Sequence, residues 1–436
     1  MNNKIIAKNV NYTWRKYYKT AKYPIRQPIY LTWLIWVLSQ IMLMGKKKRV
    51  ERIGMEGLKS PYILLSNHLS FVDFELVALG TYPQRMNNVV NVDGYYLRPW
   101  LMEWIGSIGT RKFTSDIHLV KSIRKVISRG DVLTMYPEAR YSPCGITSYM
   151  PDSLGLLIKR NKVPVVVALQ RGNHLHMPAW NVKNIRKIPM HTTLKLALTA
   201  EQVEEMSVEE INALIRSEMS YDDYKYQKEN GYLITEPKRA EGLHKVLYHC
   251  PHCMTESKMA SEGTEIFCRE CGKRWNLNED GTLSAIEGET EFSHVPDWFE
   301  WEKEQVKAQI ERGEYSFEDD VEIYSQPGCY SFPYLGKGKL VHNPELGFVV
   351  RGNYKGEDFC IHREPIQTSG LHVEYDFGKI KPHRDCIDVS TENDSFYCYP
   401  TKENVITKIA FATEIIYQNF EKNTIKKRRA AARSAE

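Results

Sequence analysis

A histidine and an aspartate five positions apart are the first residues in this chain that could do chemistry together. They lie in the run Asn67-His68-Leu69-Ser70-Phe71-Val72-Asp73, just after the apolar stretch Tyr62-Ile63-Leu64-Leu65. A buried strand running into a polar loop would place the imidazole of His68 at a strand end, with Asp73 near the start of the next helix. A carboxylate bonded to one ring nitrogen fixes the tautomer and raises the basicity of the other, which can then take a proton from a hydroxyl. No side-chain nucleophile stands beside this base in sequence. Direct attack by a substrate hydroxyl on an acyl group is therefore more economical than an acyl-enzyme. The competing reading of His68 is an ordinary satisfied histidine at a strand end.

Two further runs bear on that choice. Tyr136-Pro137-Glu138-Ala139-Arg140-Tyr141-Ser142 follows another strand candidate. Glu138 and Arg140 emerging from a sheet edge can grip a polar head group that bears phosphate and hydroxyls. Gly106-Ser107-Ile108-Gly109-Thr110-Arg111-Lys112 is a glycine-containing turn that ends in two cations suited to neutralising a phosphate.

These elements need a scaffold. Strand candidates at 62–65, 88–92, 131–136, 163–169 and 193–198 alternate with helical segments at 74–79 and 117–128, which indicates an α/β layer architecture. Ser207-Val208-Glu209-Glu210 reads as a capping box that opens a helix through about Lys228 and closes the domain. The expected domain spans residues 50–235.

In this order, the residues resemble the glycerolipid acyltransferase family, whose best-known members are the lysophosphatidic acid acyltransferases. The resemblance covers roughly residues 50–230. Asn67-His68 with Asp73 matches the family's first motif and is its most specific mark. It implies that His68 is the base for the acceptor hydroxyl and that Asp73 supports it. The second motif ends in a phosphate-contacting arginine; its spacing lands here on Lys112, with Arg111 one residue early, and either could serve. The third motif is met by Tyr136, Pro137, Glu138, Ser142 and Gly145. Ala139 replaces the family glycine, Arg140 falls on its threonine and Tyr141 on its arginine, a departure that bears on the acceptor head group. Val163-Pro164-Val165-Val166-Val167 matches the fourth motif, which is packing chemistry. The resemblance implies an α/β fold with a mixed sheet flanked by helices. It also implies acyl transfer from acyl-CoA or acyl carrier protein to a lysophospholipid hydroxyl, with Arg111, Lys112, Glu138 and Arg140 as substrate-binding residues.

Cys250-Pro251-His252-Cys253 and Cys268-Arg269-Glu270-Cys271 form two Cys-x-x-Cys pairs with 14 residues between them. Such knuckles close a tetrahedral thiolate site around Zn²⁺. Four thiolates fill the shell, so the expected metal is structural and folds a small ribbon over 245–285 that could present Trp275 and basic neighbours to a partner, protein or nucleic acid, between which the sequence does not decide. The other five cysteines lack ligand spacing and read as core.

A charged helix follows, His294 to Arg312, expected as a linker over 290–315. Beyond it, residues 320–422 show short β-like segments at 330–334, 339–342, 348–351, 359–363, 371–377, 386–390 and 396–399, then an apolar-periodic helix from Glu403 to Phe420. Seven strands and a terminal helix suit a small barrel with a helical cap. This part resembles the pleckstrin-homology-like group. A basic tail, 423–436, ends the chain.

The 436 residues are 42% hydrophobic and 26% charged, which excludes a disordered chain. Nine cysteines, an odd and small number for this length, fit a reducing compartment. The net charge of +5 hides an asymmetry: residues 1–60 carry 13 Lys/Arg against two Glu. Within them, residues 11–27 alternate basic and aromatic side chains, and 29–44 are almost wholly apolar before Lys46-Lys47-Lys48-Arg49. As a helix this apolar run would be about 24 Å long, short of a bilayer core of about 30 Å. It suits a segment lying in one leaflet. Residues 1–49 are therefore expected to associate, peripherally or monotopically, with the cytoplasmic face of the cell membrane. A buried core helix is the other reading. Nucleic-acid binding is disfavoured, because base stacking does not need the apolar run. Two functions compete: a membrane-associated O-acyltransferase giving a phosphatidate-type lipid, and a catalytically altered acyltransferase fold acting as a lipid-binding scaffold.

Overall fold

The computed structural model describes residues 23–381 and 384–433, the last eleven of these by backbone alone. The stretch 11–22 and the side chains of the basic tail lie outside the described residues.

The N-terminal part is an α/β domain. Its elements in chain order are α1 (Ile29–Met42), β1 (Lys48–Ile53), β2 (Ile63–Ser66), α2 (Asp73–Thr81), β3 (Met86–Asn91), α3 (Pro99–Trp104), β4 (Ile108–Thr110), α4 (Ile117–Ser128), β5 (Val132–Met135), α5 (Ser153–Asn161), β6 (Val165–Arg171), α6 (Asn173–His176), β7 (Met190–Leu198), α7 (Ala200–Glu205), α8 (Val208–Glu218) and α9 (Asp223–Glu229). The seven strands form one mixed sheet in the order β1-β7-β6-β2-β5-β3-β4. β2 to β6 run parallel to their neighbours, whereas β7 is antiparallel to β6 and parallel to β1. The central strands are continuously apolar because both faces are covered. Leu65, Leu133 and Val167 pack under one layer, and Leu64, Val132 and Val166 under the other.

Local signals mostly act as read from the sequence. The Asp116 side chain caps α4 through the amides of His118 and Leu119, and Ser207 and Glu210 form a capping box on α8. The single helix expected through Lys228 is two helices. Met219 and Tyr221 turn into the core after α8, and Asp222 caps α9.

The ribbon has four antiparallel strands, β8 (Met259–Glu262), β9 (Glu265–Cys268), β10 (Arg274–Leu277) and β11 (Leu283–Ala285), paired in sequence order. Helix α10 (Val295–Glu311) follows. It is packed rather than a bare linker: Trp298 is fully buried, its ring 5.0 Å from that of Trp275, and Phe299 packs on Phe411 at 4.7 Å.

The C-terminal part contains β12 (Phe317–Ser325), β13 (Tyr334–Asn343), β14 (Gly347–Tyr354), β15 (Glu357–Arg363), β16 (His372–Glu374), β17 (Cys386–Ser390) and β18 (Ser395–Pro400), then α11 (Ile406–Arg433). The antiparallel sheet has the order β15-β14-β13-β12-β18-β17-β16. The expected strand at 330–334 is loop up to Tyr334. The seventh strand is instead β12, whose Glu318 and Asp320 face solvent while Val321 and Ile323 enter the core. The sheet leaves β15 and β16 as edges, and α11 packs against β16 and the turn after β15, across the opening. One apolar core links the three parts. It runs from Leu175 and Trp180 through Trp275 and Trp298 to Phe396 and Ile409.

Candidate active site

The parallel strands β2 to β6 end on the same side of the sheet, where open α/β sheets bind ligands. All the candidate chemistry outside the ribbon collects there. His68 follows β2, Arg111 and Lys112 follow β4, and Glu138 and Arg140 follow β5.

His68 and Asp73 meet as their spacing predicts. Nδ1 of His68 lies 2.9 Å from Oδ2 of Asp73. The same oxygen accepts the backbone amides of Leu69, at 2.6 Å, and Ser70, at 3.0 Å. The second carboxylate oxygen accepts Nδ2 of Asn173 at 2.8 Å. Asp73 is buried and held by four donors, so it orients the ring rather than reacting. The loop itself is pinned to β6. Asn67 donates to the carbonyl of Gln170 at 2.9 Å and accepts the Gln170 amide at 2.8 Å, like one more rung of the sheet. The His68 ring stacks on Tyr136, with centroids 4.3 Å apart, and leans on Tyr141 at 4.0 Å. Its side chain keeps 20% of its surface exposed. Burial lowers its pKa below the ordinary 6.5, against the pull of Asp73 and with a smaller push from Lys112. The ring is therefore neutral at pH 7, with Asp73 on Nδ1 and Nε2 left to act as a base.

The four expected substrate-binding residues sit nearby; Arg111, Lys112 and Arg140 face the C-terminal part, whereas Glu138 stays within the α/β domain. Arg111 is buried and donates Nη1 to the carbonyl of Gln326 at 3.0 Å and to Oγ of Ser395 at 2.9 Å. Half-buried Lys112 feels Asp93, Glu374 and Asp388, and burial lowers its pKa. Arg140 is buried in an ion pair with Glu414 of α11. Glu138 is buried, takes the Tyr221 hydroxyl at 3.3 Å, and is pushed by burial well above the carboxylate range. Ala139 adopts φ 55°. That left-handed conformation is one that favours glycine, so the position keeps its backbone demand although the side chain has changed.

Sequence reading missed several partners of this site. Asn173 and Gln170 reach it only because β6 lies beside β2, 100 or more positions away in the chain. Nothing local marks them except their place just after an apolar strand. His372 and Glu374, on β16, enter the same electrostatic neighbourhood from the other domain.

The four ribbon cysteines also converge. Their sulfur atoms all lie within 4.8 Å of one another, with Cys250–Cys271 at 3.8 Å and Cys253–Cys268 at 3.7 Å. A tetrahedron with metal–sulfur bonds of about 2.3 Å has edges of about 3.8 Å. The set therefore fits a metal such as zinc.

A cavity of about 490 Å³, lined by Trp36, Gln40, Lys48, Val50, Arg52 and Leu79, contains none of the motif residues. Around it α1 exposes Tyr30, Trp33, Ile41 and Met42, and the Tyr30 ring lies 6.2 Å from that of exposed Trp104 on α3. No helix among the described residues is long and apolar enough to cross a membrane.

No known protein family's profile matches this chain, and no curated protein matches it. Among solved structures, it is distantly similar to the crystal structure of the 1-acyl-sn-glycerophosphate (LPA) acyltransferase, PlsC, from Thermotoga maritima. The two are 14% identical with a TM-score of 0.34, over 44% of this chain and 79% of that one.

Proposed function

We propose that the protein is an O-acyltransferase that moves a fatty acyl group from acyl-CoA or acyl carrier protein to a lysophospholipid hydroxyl, with 1-acylglycerol-3-phosphate as the preferred acceptor. The observation that carries this is the 2.9 Å contact of His68 Nδ1 with Asp73 at the carboxyl ends of the parallel strands. In this reading Nε2 of His68 removes the acceptor's hydroxyl proton as that oxygen attacks the thioester carbonyl. The new C–O bond forms, the C–S bond breaks, and the imidazolium returns its proton to the departing thiolate. Asp73 steadies the imidazolium.

The exposed aromatic and apolar residues of α1 and α3, with Lys46-Lys47-Lys48-Arg49 beside them, support docking to an anionic membrane surface, which on this reading is the cytoplasmic face. Zinc in the four-cysteine set would be structural and would hold the ribbon's knuckles together; Trp275, expected to meet a partner, is instead fully buried against Trp298, so a protein partner would have to contact other residues of the ribbon. Seven antiparallel strands with a terminal helix support a pleckstrin-homology-like reading of the C-terminal part.

Release of free thiol from acyl-CoA, or from an acyl carrier protein thioester, in the presence of lysophosphatidic acid tests this function. His68→Ala should abolish it in a folded protein; unchanged turnover would refute the mechanism. One observation favours a second reading, a lipid-binding scaffold: Arg111 and Arg140 are both bonded to the C-terminal part. Absence of thiol release with several donors and acceptors would select it.

A further inference from the structure

The C-terminal domain roofs the end of the sheet where the chemistry gathers. The amide of Leu97 donates to the carbonyl of Cys329 at 2.7 Å, and Lys379 reaches Asp93 at 3.4 Å. Arg111 bonds to Gln326 and Ser395, and Arg140 to Glu414. These contacts touch the loops after β3, β4 and β5, beside the loop that carries His68. The roof therefore belongs to any ligand site at this edge.

The seam between the domains has polar groups that the protein does not satisfy. Arg111 is 3% exposed, yet its Nε and Nη2 have no hydrogen-bond partner. Opposite, His372 is 3% exposed with its Nδ1 3.4 Å from Oε1 of Glu374, and Asp388, its register partner on β17, is 4% exposed with Oδ2 unbonded. Buried polar groups are seldom left without partners, and orphans on two facing surfaces mark the place of a polar ligand.

The charge of the seam indicates which ligand. Lys379 already holds Asp93, and Glu414 already holds Arg140. Asp394 is engaged by Ser325 and the amide of Ser395. Burial raises the carboxyl of Glu374 to about 8 and that of Asp388 to about 7, so near neutral pH both spend much of their time protonated, as donors. Free guanidinium N–H groups, a lysine, an imidazole and protonated carboxyls form a donor-rich cradle for an anion with several acceptor oxygens.

We propose that this seam binds a phosphate monoester head group, recognised by Arg111 and Lys112 from the α/β domain and by His372 and Glu374 from the C-terminal domain. The inference rests on the acyl-transfer reading only in taking that head group to be the acceptor's. It makes the roof part of the acceptor site, with head-group selectivity set by side chains from outside the α/β domain.

The test uses the full chain and measures binding and transfer separately. Calorimetry with glycerol 3-phosphate, inorganic phosphate, micellar lysophosphatidic acid and monoacylglycerol reads the site. Thiol release reads the reaction. The wild type should bind glycerol 3-phosphate and lysophosphatidic acid, and not monoacylglycerol. His372→Phe and Glu374→Ala should each weaken binding about tenfold, and raise KM for lysophosphatidic acid by a similar factor with kcat within about twofold. Glu374→Gln keeps a donor and should bind nearly as the wild type does. Lys183→Ala, which breaks an exposed cross-domain pair with Asp376, should change nothing. Wild-type affinity in folded His372→Phe and Glu374→Ala would overturn the proposal, as would a wild type that binds no phosphate compound. Equal affinity for inorganic phosphate would also overturn it, by identifying a free-phosphate site. If the wild type binds but never releases thiol, the site stands and the enzymatic reading falls. If it transfers acyl groups to monoacylglycerol alone, the reverse holds.

Discussion

Arg140, five residues past the end of β5, forms a buried ion pair with Glu414, 274 positions later on α11. The guanidinium that the sequence offers to a substrate is thus tied to the C-terminal helix. Its displacement by one position from the acyltransferase pattern goes with this: Tyr141, in the arginine's place, lies against the His68 ring. The pair joins the loop after β5 to the roof of the candidate site.

Breaking that pair should be costly. Glu414→Ala leaves a buried guanidinium uncompensated, and we expect a loss of about 3 to 5 kcal/mol. Replacing both partners, as Arg140→Met with Glu414→Leu, should recover most of it. Denaturant titration of the single and double variants measures this. Equal losses in the two would show that the cost does not come from an uncompensated guanidinium.

The acid limb of activity should follow His68. On the proposed mechanism its neutral form is the base, and its pKa lies below 6.5, so kcat/KM should stay flat down through that pH and fall only at lower values. Asp73 raises the pKa, so Asp73→Asn should move the limb to still lower pH while reducing the rate on the order of a hundredfold or more. A limb above 6.5 in a pH–rate profile would assign the base elsewhere.

The contribution of Glu374 and Asp388 to stability should fall as pH rises between about 4 and 8. Glu374 and Asp388 have folded pKa values of about 8 and about 7, above the ordinary carboxylate values, so the folded state binds more protons across that window. Each such group contributes up to about 1.4 kcal/mol per pH unit, favouring folding at the acid end. Asp388→Asn should flatten the slope in urea midpoints measured across the window. An unchanged slope would mean that Asp388 titrates normally.

The ribbon should hold one metal ion through its four thiolates. Elemental analysis should find about one zinc per chain, and Cys250→Ser should lower it sharply. Because Trp275 and Trp298 pack face to edge beneath this sheet, chelation should also change tryptophan fluorescence. Full metal occupancy in Cys250→Ser would exclude this residue as a ligand.

Association with lipid should need the exposed ring of α1. Trp33→Glu should weaken partitioning onto anionic vesicles, read by co-sedimentation, by about thirtyfold or more, since one buried tryptophan supplies roughly 2 kcal/mol or more. Binding unchanged by this substitution would place the membrane contact on another surface.

Features that depend on near neighbours are legible in the chain alone. His68 and Asp73 are five apart, and one loop closes them. The cysteine pairs and the caps of α4 and α8 are local for the same reason. The apolar strands were visible because burial on both faces leaves few polar residues to confuse the pattern. Where two helices replace one at Met219–Asp222, the core's hold on Tyr221 outweighed the local helical pattern. Tertiary structure decided everything that depends on which strands lie side by side. It brought Asn173 to Asp73 and made β12 rather than 330–334 the seventh strand. It also turned Arg111 and Arg140 toward the C-terminal domain. Their charge is legible in the sequence, but their partner is not, because a guanidinium bonds whichever acceptor packing brings within reach, and here packing brought Gln326, Ser395 and Glu414.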